Sequence, residues 1–202
     1  AVTGSDGKTT TTSLIAAMFE ATGRKVHLGG NIGRALLPEI ESVEPTDYAV
    51  VELSSFQLMT MQQSPHIAVV TNLSPNHLDY HHTMEEYFAA KRKLFDRCDT
   101  AVLNIDDEHG RILAEELSCR TVTISDKDDT ADYLAGNIRI RSDGSSFVVL
   151  HGGELEKVNI STPGDFSIHN ALGALAAVTE AGVPMAQAAA DLADCAGVPG
   201  RF

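Results

Sequence analysis

Thr3-Gly4-Ser5-Asp6-Gly7-Lys8-Thr9-Thr10-Thr11-Thr12 is the stretch that decides the reading of this chain. Gly4 and Gly7 let successive backbone N–H groups turn inward around an oxyanion, Lys8 follows to reach a β- or γ-phosphate, and the Thr9 hydroxyl is placed for Mg²⁺. Gly4, Ser5, Asp6, Gly7, Lys8, Thr9 and Thr10 are therefore candidate nucleotide-binding residues. The strict pattern G-x-x-x-x-G-K-[ST] has glycine where Val2 stands, so the first glycine comes two residues late. The same residues could instead cap a threonine-rich helix with no ligand. Beyond them Leu14, Ala17 and Met18 share one helical face, and a helix starting here turns its positive dipole end toward phosphate. Such a loop normally follows a buried strand, yet only Ala1-Val2-Thr3 precede Gly4, so the chain is expected to be a piece of a longer protein.

Working outward, strand-like apolar runs alternate with helical patterns. The runs are Lys25–Leu28, Tyr48–Leu53, His66–Thr71, Ala101–Asn104 and Thr121–Ile124, and the helices are expected near 13–23, 33–43, 84–97 and 107–118. Runs apolar on both faces and separated by helices predict an α/β fold of the phosphate-loop type, with a mostly parallel sheet covered on both sides. Thr83-Met84-Glu85-Glu86 reads as a capping-box helix start. Residues 133–161 differ: Ile138–Arg141, Ser146–Leu150 and Val158–Ser161 are short strands parted by Ser142-Asp143-Gly144-Ser145 and Gly152-Gly153, which predicts a small antiparallel hairpin subdomain. Helices near 168–181 and 185–194 close the chain.

Composition narrows the function. The 202 residues are 43% hydrophobic, enough to bury a full core, and the net charge of −13 with no basic run argues against nucleic acid. No apolar run approaches a membrane span and no signal peptide is visible. Cys98, Cys119 and Cys195 are odd in number with no C-x-x-C spacing, so reduced thiols and a cytoplasmic location are expected.

In a doubly wound sheet, ligands bind beyond the C-terminal ends of the strands, and the polar signatures fall there. Gly29-Gly30-Asn31-Ile32-Gly33 follows one strand, Glu52-Leu53-Ser54-Ser55-Phe56-Gln57-Leu58 ends another, and Asn72-Leu73-Ser74-Pro75-Asn76-His77-Leu78-Asp79-Tyr80-His81-His82 follows a third. Together with Tyr87-Phe88-Ala89-Ala90-Lys91 and His169-Asn170-Ala171-Leu172-Gly173, in this order, they resemble the central ATPase domain of the Mur ligases of peptidoglycan synthesis. Within that family, G-G-N-I-G and E-L-S-S-F-Q-L resemble the branch that adds D-glutamate. Gly197-Val198-Pro199-Gly200-Arg201-Phe202 resembles a hinge into a C-terminal domain, so the resemblance implies that residues 1–202 are a central ATP-binding domain lacking an N-terminal UDP-binding domain and a C-terminal amino-acid-binding domain.

The resemblance implies a monomeric ligase that uses ATP to phosphorylate the carboxylate of UDP-muramoyl-L-alanine, with the amine of D-glutamate attacking the acyl phosphate. Lys8 would contact the β/γ-phosphates. Thr9 and Glu52 would hold one Mg²⁺, although Glu52 could be an ordinary strand-end glutamate. His77 would be a ligand to a second Mg²⁺ beside the acyl phosphate and the substrate. Lys91, by sequence alone a solvated helix lysine, is implied to be carbamylated and thereby an anionic ligand to that second ion. Asn31 and Ser55 would touch the muramoyl substrate, Asn31 being alternatively a loop asparagine between glycines. Asn170 and Arg201 would contact nucleotide, while Asp107 could be only a helix N-cap. His77-x-x-x-His81 imitates a zinc pair but lacks the glutamate of H-E-x-x-H, so His81 and His82 are expected as exposed loop residues. Ser167 replaces the first asparagine of the family's G-x-H-N-x-x-N. The alternatives are another ligase of this type, tripeptide-forming, amidating or resembling folylpolyglutamate synthetase, and a nucleotide-binding module without ligase chemistry.

Overall fold

The computed structural model describes residues 1–33 and 35–195. A two-residue strand organises it. β1 (Val2–Thr3) leads through Gly4–Gly7 into α1 (Lys8–Ala21), followed by β2 (Val26–Gly30), β3 (Tyr48–Glu52), α2 (Ser55–Thr60), β4 (Ile67–Val70), α3 (Leu78–His81), α4 (Met84–Arg92), β5 (Thr100–Asn104), α5 (Glu108–Glu116) and β6 (Arg120–Ser125). β7 (Tyr133–Arg141), β8 (Gly144–His151), β9 (Glu154–Ile160), α6 (Asp165–Glu180) and α7 (Met185–Asp194) complete it. The strands form one nine-stranded sheet in the order β2-β3-β1-β4-β5-β6-β7-β8-β9. It is parallel from β2 through β7, and β8 and β9 are antiparallel.

Each face of the sheet buries a separate apolar layer. On one, Ile15, Met18 and Phe19 of α1 meet Leu172 and Leu175 of α6 and Leu192 of α7 against Val2, Val50, Val69 and Val102. On the other, Leu58 of α2, Tyr87 of α4 and Leu113 of α5 pack on Ala68, Val70 and Leu103. Each fully buried leucine contributes about 2 kcal/mol from removal of its surface from water. That burial on both faces is why the strands read as unbroken apolar runs.

The sequence-predicted strands lie where expected. The hairpins over 133–161 are antiparallel and continue the main sheet, because β7 pairs in parallel with β6 through Ile124↔Tyr133 and Ser125↔Leu134. The helix expected near 33–43 is instead a short 3₁₀ segment, Leu37–Ser42, which buries no residue and so gains none of the packing that sustains an α-helix. α1 begins at Lys8 rather than near 13 because Gly7 adopts a left-handed conformation, φ 77, immediately before it. The helix expected over 84–97 ends at Arg92 and tightens into a 3₁₀ turn, Lys93–Phe95. α2 and α3 occupy stretches read as loop.

Candidate active site

The phosphate loop is built by the ends of β1 and β4. At Gly4, φ 148, a Cβ would lie 2.0 Å from Thr71 Oγ1, and at Gly7 it would lie 2.1 Å from Asn170 Oδ1, so both positions require glycine. Asn72 clasps the loop: its carbonyl oxygen accepts from the Ser5 N–H at 2.8 Å and its Oδ1 from the Asp6 N–H at 3.1 Å. The Ser5 hydroxyl turns inward, donating to Ser74 O at 2.9 Å, and lies 3.1 Å from the Tyr87 hydroxyl. Ser5 is thus a strut of the loop, and Asp6 is its exposed tip. Lys8 Nζ donates to Ser5 O at 2.8 Å, arched over the loop. Thr9 and Thr10 lie in the first turn of α1, where N–H groups have no partner within the helix.

Behind the loop, the buried Glu52 carboxylate accepts from Thr9 Oγ1 at 2.7 Å through Oε2 and from Asn31 Nδ2 at 3.0 Å through Oε1. Both donors are neutral, and among the described residues no Lys, Arg or His forms an ion pair with it. A carboxylate removed from water without a direct ion pair is costly. This carboxylate and the adjoining hydroxyl are a hard-oxygen pair, and they fit a Mg²⁺ ion.

Lys91 departs furthest from a plain sequence reading. Instead of being solvated it is 2% exposed, and its Nζ donates to Gly4 O at 2.8 Å and to Thr3 Oγ1 at 3.3 Å, directly beneath the loop. It also lies 4.7 Å from the centre of the Tyr87 ring. Burial lowers its pKa to about 7, and repulsion from Lys8 adds to this while the Glu52 charge opposes it. A neutral, nucleophilic amine is therefore accessible near neutral pH.

His77 stands on the rim, exposed and left-handed at φ 54, at the head of α3. Its ring centre is 5.3 Å from that of Phe56 and 6.5 Å from that of Tyr87. Lys91 and His77 thus flank Tyr87, with no direct contact between them given by the geometry. His81 corrects the sequence reading: it is buried, and its Nε2 lies 2.9 Å from Ser55 Oγ. Desolvation, with repulsion from His77 and Lys91, holds its pKa below the ordinary histidine value. The short α3 turns His81 inward beneath Phe56 while leaving His82 exposed. Ser55 is consequently committed to His81 and lies beside the site rather than open to it.

Asn170 lies against Gly7, and Asp107 caps α5 by accepting from the His109 and Gly110 N–H groups. Ser167 Oγ donates to Pro163 O at 2.9 Å, serving the first turn of α6. Arg201 lies outside the described residues, as does the hinge-like segment containing it. Sequence reasoning gave no role to Thr71, Asn72 or Tyr87; the signal for Asn72 was its place immediately after an apolar strand. It also passed over Asp106 and Asp126, whose carboxylates each lie 3.2 Å from His169 Nε2 and tie the ends of β5 and β6 to α6.

Residues 2–178 match the family model described as the Mur ligase middle domain. The chain is 44% identical over 192 residues to the UDP-N-acetylmuramoylalanine–D-glutamate ligase of Symbiobacterium thermophilum, covering 91% of this chain and 41% of that protein. It is 46% identical over 186 residues to the enzyme of the same name from Acetivibrio thermocellus, covering 89% and 39%. A solved UDP-N-acetylmuramoyl-L-alanyl-D-glutamate–2,6-diaminopimelate ligase superposes with a TM-score of 0.87 at 28% identity, over 99% of this chain and 46% of that one. The chain therefore spans about two fifths of the length of the curated relatives it matches.

Proposed function

The chain belongs to the Mur ligase middle-domain family, and from that premise we propose that it is the ATP-binding part of a ligase that adds D-glutamate to UDP-N-acetylmuramoyl-L-alanine. The observation that carries the nucleotide chemistry is the buried Glu52 carboxylate, joined to Thr9 at the head of α1 and in no ion pair among the described residues. In the reaction, a substrate carboxylate oxygen bonds to the γ-phosphorus of ATP as the bridging β–γ P–O bond breaks, giving ADP and an acyl phosphate. The D-glutamate amine then bonds to the acyl carbon, phosphate leaves with the C–O electron pair, and the amine loses a proton.

The chain's residues position this charge rather than carry it covalently, the main task in phosphoryl transfer. The Gly4–Gly7 loop and the first N–H groups of α1 receive the phosphates, and Lys8 moves from Ser5 O to the β/γ-oxygens. Bound Mg²⁺ would neutralise phosphate charge, with Thr9 and Glu52 holding one ion and His77 and modified Lys91 a second. The neutral Lys91 amine adds CO₂: the Nζ–C bond forms as one C=O π bond of CO₂ breaks, one amine proton is released, and the neutral amine becomes an anionic carbamate that would serve as an oxygen ligand. Asn31 orients the muramoyl substrate at the same cleft, with Ser55 contributing from beside it through its contact with His81. Asn170 and Arg201 take the nucleoside side. UDP and amino-acid pockets belong to flanking domains of the longer protein, and closure of those domains excludes water from the acyl phosphate.

Calorimetry of ATP with Mg²⁺ tests the nucleotide half. Lys8→Ala should weaken binding at least tenfold, a lost charge-assisted contact being worth about 1.5–3 kcal/mol. Equal affinity in both forms would sink the phosphate-loop reading. In the longer protein, phosphate release should require UDP-N-acetylmuramoyl-L-alanine and D-glutamate together.

A further inference from the structure

We propose that the outer face of the β7–β9 arm holds a second anion site, distinct from the phosphate loop, for a compact phosphorylated small molecule. A cavity of about 520 Å³ lies there, within the usual size range of small-ligand pockets. Strand periodicity puts Arg139 and Arg141 of β7 on one face, and the register brings Ser146 and Asn159 opposite Arg139. Lys157 enters the same face from β9, opposite Val148 and, across β8, Gly136. The small residues Gly144 and Ser146 leave the floor open, and the cations stand around it.

Two features separate this from scattered surface charge. First, in a chain of net charge −13, Arg139, Arg141 and Lys157 converge on one cavity and none of them has a carboxylate partner among the described residues. Asp143 also lines the cavity and leaves a positive balance there. Second, the backbone is shaped at this point: β7 breaks register between Gly136 and Arg139, with Asn137 left-handed at φ 52. Such a bulge bends the strand and re-aims the side chains that follow, here Arg139 and Arg141.

The chemistry favours phosphate. Two arginine forks match phosphate oxygens, and Asn137 and Asn159 add neutral groups suited to hydroxyls. Four strands lie between β8 and β1, a separation of five strand spacings or roughly 24 Å, so one small nucleotide does not fill both places.

Pyrophosphate titrated calorimetrically into the full chain carrying Lys8→Ala, in chelator, reads this site with the phosphate loop silenced. Binding that weakens with added salt is expected, falling about tenfold for each of Arg139→Gln and Arg141→Gln. Backbone amide resonances of Ser145, Ser146 and Asn159 should shift in the same titration. Unchanged thermal unfolding of these exposed-cation variants keeps loss of binding separate from loss of fold. Absence of binding, binding indifferent to both arginine substitutions, or equal affinity for citrate would each overturn the proposal. ATP binding at the loop of the otherwise native chain should be unaffected by Arg139→Gln, so the two sites fail independently.

Discussion

Replacing Lys91 by methionine keeps most of its volume and removes the amine, and its effect should reverse in weight across neutral pH. The native amine is 2% exposed and its pKa is lowered from 10.5 to about 7, first by desolvation and then by Lys8. The sign follows from proton counts. Below pH 7 both folded and unfolded chains hold the proton and the folded state bears the cost of a buried cation. Between about 7 and 10.5 the unfolded chain binds the proton and the folded one does not, so stability rises with pH. Each pKa unit corresponds to about 1.36 kcal/mol. Integrated from pH 6.5 to pH 9, the native chain should gain about 2.5 kcal/mol relative to Lys91→Met. The assay is guanidinium unfolding of both proteins at the two pH values, in chelator and CO₂-free buffer so that the amine stays unmodified. Other titrating groups are common to both chains and cancel in the difference. A difference that stays constant within about 0.5 kcal/mol between the two pH values would refute the buried, neutralising lysine.

Gly7→Ala should cost about 1–2 kcal/mol from the left-handed backbone alone, and more from the Cβ placed 2.1 Å from Asn170 Oδ1, read as a lowered guanidinium midpoint together with weaker ATP binding. An unchanged midpoint would mean that the loop relaxes freely. His81→Phe should cost about 1–3 kcal/mol by leaving Ser55 Oγ unpaired. Because the folded pKa of His81 is lowered, its native contribution fades as pH falls below 6.5, so unfolding curves of native and variant should converge in acid.

The parallel sheet was legible because strands buried on both faces must be apolar through their centres, and Ile67–Val70 and 101–103 are. The phosphate loop was legible because its chemistry needs glycines, a lysine and a hydroxyl in fixed order within one short stretch. Lys91 was not. Its neighbours in Tyr87-Phe88-Ala89-Ala90-Lys91-Arg92-Lys93 make a normal solvated helix, and only the crossing of α4 against β1 carries its Nζ under Gly4, 87 residues earlier. His81 was hidden for a related reason: four residues of helix after His77 rotate it inward toward Ser55, a contact that spans 26 residues and two elements. The joining of the hairpins to the main sheet was equally non-local, since it rests on two register pairs at the start of β7.

Around one loop, then, lie two lysines and one carboxylate whose charges are coupled. Repulsion from Lys8 favours the neutral Lys91 amine, and attraction to Glu52 opposes it. A divalent cation held by Glu52 and Thr9 would cancel that attraction and move Lys91 further toward the neutral form, the form that adds CO₂. Linkage makes the effect reciprocal: a proton on Lys91 must weaken the divalent cation by the factor that the cation lowers the proton's affinity. Metal binding in CO₂-free buffer should accordingly tighten between pH 6 and pH 8 in the native chain, and this part of its pH dependence should vanish in Lys91→Met.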